Sequence, residues 1–106
     1  MATSARTAPL LVLTRLTGPD TARVREILRS VCDRLESMNR HTAMRENTRF
    51  IEAQLAVWDH HGDYNSSPAV GRDIVATLTA LRDLPLDGTR ADYADRLRLA
   101  LGAVCL

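Results

Sequence analysis

The sequence has no lysine, and all fourteen of its basic residues are arginine. The ordinary source of such a bias is the composition of the coding sequence. Its chemical consequence is a supply of planar guanidinium forks, which grip carboxylate and phosphate at two points. Thirteen acids bring the formal net charge to only +1. The field of the whole molecule therefore argues for neither nucleic acid nor membrane as a partner. Glycine and proline are scarce, at five and four, and the long segments between them favour helix. Cysteine occurs only as Cys32 and Cys105. Two cysteines so far apart make no zinc pattern and no redox C-x-x-C motif. A bridge between them would need neighbouring helices; two reduced thiols are the simpler expectation. No run approaches the ~20 apolar residues of a membrane span. Phosphate-binding glycine loops and a nucleophile elbow are also missing.

What is present fits one globular domain over residues 1–106. The hydrophobic and charged fractions, 45% and 25%, are those of ordinary folded domains. A chain of this length can bury a real core. Residues 1–8 read as a loose tail. Residues 9–16, with Leu10, Leu11, Val12 and Leu13, read as a segment packing onto the domain. That run is too short for an export signal, so a cytoplasmic location is expected.

Val24, Ile27, Leu28, Val31, Leu35 and Met38 recur at helical spacing and fall in one arc roughly 100° wide. Arg25, Arg29 and Glu36 lie on the other side, and Arg29/Asp33 and Glu36/Arg40 can pair four residues apart. The pattern then breaks. On an unbroken helix, Arg45 and Arg49 would enter the apolar arc, and the next apolar set, Met44, Ile51, Leu55 and Trp58, would face the other way. Two chain paths fit. Either the chain turns back at residues 39–42 with Thr42 as a new cap, or one long central helix over about 20–61 carries two faces. Neither glycine nor proline marks a turn there.

Gly62 suits the left-handed position after a helix, with His60 and His61 in the last turn. Ser67 and Pro68 open a further helix over about 68–84, with Val70, Ile74, Leu78 and Leu81 as its stripe. Thr89 and Asp92 form a capping box for a last helix over about 89–105. Its stripe is Tyr93, Ala94, Leu97, Leu101 and Val104. The expected fold is all-α, a small antiparallel bundle of three or four helices.

The chemistry on offer is sparse. Asp59, His60, His61 and Asp63 are the one cluster of potential metal ligands, but adjacent histidines on a helix point about 100° apart. Cys32 and His41 are too far apart on one helix to form a nucleophile and base. No catalytic residue, cofactor or metal is expected, and no enzymatic activity. The expected function is binding to another protein, as a homodimer with a further protein partner. Met44, Arg45, Arg49, Ile51, Leu55 and Trp58 are the candidate contact residues: an apolar face with arginines at its rim. The alternative is a helical dimer binding nucleic acid such as double-stranded RNA. There Arg23, Arg34, Arg45 and Arg49 would track phosphates along an extended helix.

Overall fold

The computed structural model describes residues 21–62, 64 and 67–105, the last three by their backbone alone. The expectations for residues 1–8 and 9–16 lie outside this set, as do Asp63 and the Val104 and Cys105 side chains. Four helices follow one another: α1 (Thr21–Ser37), α2 (Glu46–His61), α3 (Pro68–Leu81) and α4 (Arg90–Cys105). The first helix is the hub, packing against each of the other three, while α2 also packs on α3. The all-α bundle read from the sequence is the fold observed. No helix among the described residues is long and apolar enough to cross a membrane.

The apolar stripe of α1 enters the core as its spacing requires. Val24, Ile27, Leu28, Val31, Cys32 and Leu35 are all buried. Met38 is not; it lies beyond the helix end and is exposed. Helix α4 behaves the same way, burying Tyr93, Ala94, Leu97, Ala100 and Leu101. Its capping box is reciprocal. The Thr89 N–H donates to Asp92 Oδ2 at 2.9 Å, and the Asp92 N–H donates to Thr89 Oγ1 at 3.1 Å. The Thr89 N–H, and after it the Thr89 hydroxyl, hold the Asp92 carboxyl below its usual range. Ser67 caps α3 by accepting from the Val70 N–H at 3.3 Å, with Pro68 in the first turn. Gly62 closes α2 at φ 63°.

A single central helix over 20–61 is not formed. The chain leaves α1 at Ser37 and starts α2 at Glu46. Asn39 supplies the turn with φ 52°, a left-handed conformation that asparagine tolerates. The Thr42 N–H then donates to Asn39 O at 2.9 Å. Thr42 is not the new cap. Arg45 holds that place, in extended conformation and with no side-chain bond to the helix.

Tertiary bonds hold this turn. The first N–H groups of a helix lack partners within it. Those of Arg90 and Ala91 in α4 donate to Thr42 O and Arg40 O, at 2.8 and 3.0 Å. The Met44 N–H donates back to Gly88 O at 3.0 Å, and Ala43 bridges Thr89 in antiparallel fashion. The two inter-helix connections thus satisfy each other's backbone. Gly88 has φ 93°, and a Cβ there would collide with the Asp92 carboxylate.

The last turn of the third helix is also shorter than its apolar pattern suggests. Helix α3 ends at Leu81, and the Leu84 N–H closes a turn onto Leu81 O at 3.0 Å. Leu84 still reaches the core, where it is buried.

Candidate interaction site

The six residues proposed as contacts do not share one surface. Met44 is buried in the core, at 6% exposure. Arg49 lies half-buried, donating from Nη1 to Leu81 O and Arg82 O, at 3.4 and 3.3 Å. Arg45 and Ile51 are exposed, while Leu55 and Trp58 are half-buried. Trp58 meets Tyr64 edge-on, with ring centroids 5.9 Å apart. Its Nε1 is buried and has no hydrogen-bond partner among the described residues.

The reason is an inversion in α2. Its inner face is Glu52, Ala53, Ala56 and Val57. Three small side chains let α2 approach α1 and α3 closely, and the large ones are left outside or at the margins. Glu52 is the surprise, a carboxylate only 6% exposed. It is bracketed by two guanidinium groups. Arg34 Nε donates to Oε1 at 2.7 Å, and Arg90 Nη2 donates to Oε2 at 3.3 Å. Arg34 also reaches Asp59, at 3.2 Å, and Arg90 Nε donates to Met38 O at 3.0 Å. Such a carboxylate can stay charged and buried because both its oxygens are bonded to positive donors. The network ties α1, α2 and α4 together.

A second buried carboxylate joins the other end. Asp73 of α3 accepts from Arg23 Nε and Nη2, at 2.9 and 3.0 Å. His61 Nε2 donates to it at 2.7 Å. Desolvation alone would raise the Asp73 pKa. The bonds from Arg23 and His61 outweigh it and hold the carboxyl below its usual range. On the surface, Arg98 of α4 clamps Asp33 and Glu36 of α1, at 2.8 and 2.6 Å. Those acids were expected to pair with Arg29 and Arg40 on their own helix. The hydrogen bond from Arg98 holds Glu36 below the usual carboxylate range.

The arginines expected to line one extended helix are therefore dispersed. Arg23 grips Asp73, Arg34 grips Glu52, Arg49 closes the end of α3, and Arg45 is exposed on the turn. Of the cluster Asp59, His60, His61 and Asp63, His61 is taken by Asp73 and Asp59 accepts from Arg34 and Tyr64. No group of three His, Cys, Asp or Glu among the described residues is placed to hold a metal ion. Cys32 is a free buried thiol pushed up to about 12 by burial, its Sγ 3.7 Å from Ala94 O.

One open concavity is formed by α2 and α3. Glu46, Arg49 and Phe50 make one wall, Val75, Leu78, Thr79 and Arg82 the other, around a groove of about 360 Å³. Phe50 is 45% exposed and Val75 65%. Leu78 is half-buried on the core side. Helix α3 is apolar on two sides. Its inner face packs on α1 and α2 through Val70, Thr77, Ala80 and Leu81. Its outer stripe, Gly71, Val75, Leu78 and Arg82, repeats at spacings of four, three and four. The sequence carried a signal for this: across fourteen residues α3 has only Arg72 and Asp73 as charges, and Asp73 is buried. A surface helix that is apolar nearly all round needs a second contact.

Fold and site together define a small all-helical bundle with an open apolar groove between two of its helices. Comparison with protein-family models, curated proteins and solved structures finds no match.

Proposed function

We propose that this chain is a non-enzymatic, cytoplasmic interaction module that docks another polypeptide on the α2–α3 groove. The observation that carries this reading is the outer stripe of α3. Val75 and Leu78, faced by Phe50 of α2, form an apolar seam on helices whose other sides already pack in the core. Isolated apolar residues on a surface are ordinary; a seam at helix-packing register, edged by charge, is the pattern of an interface. Glu46 and Arg82 supply the charged edge.

The test is a photoreactive benzophenone side chain placed at Val75 in living cells, with the same group at Asp95, exposed on α4, as control. The expected result is a polypeptide adduct at position 75 that weakens with Phe50→Glu and does not appear at position 95. The reading fails if position 75 gives no polypeptide adduct.

One observation favours nucleic acid as a second reading. Arg40, His41 and Arg45 stand exposed on one turn, with no acid between Ser37 and Glu46. Binding of duplex RNA that falls steeply with salt and weakens with Arg45→Ala supports it. No binding at low salt removes it.

A further inference from the structure

The inference that follows rests on the docking reading and names the occupant. We infer that the groove between α2 and α3 receives the same groove of a second copy. The two-fold axis runs along the groove, so that α2 of each protomer lies on α3 of the other.

Charge is the first argument. Glu46 sits in the first turn of α2 and Arg82 just past the end of α3, on opposite walls at the same end of the groove. A two-fold rotation about the groove direction exchanges the walls and keeps the height. It therefore sets Glu46 of one protomer against Arg82 of its partner, twice per dimer. It also brings Phe50 onto the Val75 and Leu78 wall of the other copy. Any parallel shift or end-to-end reversal places these two charges away from each other. Glu46 and Arg82 are both exposed, and among the described residues neither is bonded to another helix: Arg82 reaches its neighbour Asp83, at 3.9 Å. Arg49, the other guanidinium of the groove, is committed to the end of α3.

Size is the second argument. Fourteen residues at about 1.5 Å each make the α3 face roughly 20 Å long. Two helices about 10 Å apart make it roughly as wide. Paired faces of this size, roughly 400 Å² a side, form a four-helix arrangement below the usual area of a stable interface, a weak dimer that dissociates on dilution. The contact is isologous, the commonest form among homo-oligomers. The exposed Gly71, with nothing near its Cβ position, leaves room at the far end for close approach of the facing helix.

The experiment is sedimentation equilibrium of the full chain over a concentration series, with Glu46→Arg and Arg82→Glu measured singly and mixed. The native chain is expected to be a dimer that dissociates on dilution. Each single variant sets like charges against each other twice and weakens the dimer by about tenfold or more. In the equimolar mixture both contacts become opposite-charge pairs, so a heterodimer forms at native strength or better. A monomeric native chain overturns the inference. So does a dimer indifferent to both swaps, or a mixture that fails to restore pairing while circular dichroism shows both variants folded. A monomeric chain that still gives an adduct at position 75 removes the second copy and leaves the docking reading standing. No adduct at all removes both.

Discussion

Helices α2 and α4 have sixteen residues each and use them in opposite ways. Helix α4 buries Tyr93, Leu97 and Leu101, leaves only Leu99 exposed among its described large apolar side chains, and begins on a reciprocal capping box. Helix α2 buries a glutamate, two alanines and a valine, exposes Phe50 and Ile51, and begins on an uncapped arginine. The first is built for a core, and its pattern says so. The second is held by tertiary bonds from its neighbours, which frees its larger apolar residues for the outside. The difference teaches where to look for function in a chain without chemical motifs: at the helix whose burial contradicts its pattern.

The sharpest way to break this contrast is at Glu52. Glu52→Ala leaves Arg34 and Arg90 facing each other without their shared acceptor. It should cost about 3–5 kcal/mol of unfolding free energy, read by urea titration. A loss no greater than that of a surface substitution would mean the buried network does not hold α2. Next is Leu97→Ala in α4, expected to cost about 3 kcal/mol through lost burial and a cavity.

Asp73 gives a pH test at the other end of α2. Its native pKa lies below the unfolded value, so its contribution is present above the ordinary carboxylate range near pH 4. That contribution is lost as pH falls through the native value. Asp73→Asn should therefore cost about 2 kcal/mol at neutral pH. The gap between variant and native chain should narrow as acid protonates Asp73; a constant gap down to acid unfolding counts against the ion pair.

The caps provide a smaller and opposite pair. Thr89→Ala should destabilise α4 by about 1 kcal/mol, whereas Arg45→Ser, which gives α2 a cap in already extended backbone, should add about 0.5–1 kcal/mol. Thermal midpoints that move in the same direction for both would blur the contrast. The smallest effect is expected at Phe50. Phe50→Ser should change monomer stability by no more than about 0.5 kcal/mol, measured below the concentration of self-association. A loss comparable to Leu97→Ala would show Phe50 to be a core residue.

Much of the fold was legible from residue order. The stripe of α1, the caps Ser67, Thr89 and Asp92, the Gly62 terminus and the stripe of α4 depend on neighbours within a turn or two. Periodicity and hydrogen-bonding capacity are sufficient for those. The candidate site was less legible. Met44, Ile51, Leu55 and Trp58 share an arc on a continuous helix, but Met44 belongs to the turn before α2 and goes inside. Arg49 looks like surface charge until the unpaired carbonyls at the end of α3 arrive beside it. Glu52 reads as a solvated acid because its two partners lie 18 and 38 residues away.

By itself, then, the sequence determined that this protein is helical, where three of its helix termini lie, and which faces of α1 and α4 are apolar. Each of these is set by short-range backbone chemistry and spacing. Only the tertiary structure decided that the chain turns back after α1, because the bonds that hold that turn come from α4. Only it decided that α2 points its small residues inward and leaves Phe50 beside Val75. That choice depends on which side of α2 can satisfy Arg34 and Arg90 at Glu52, and no local pattern records it.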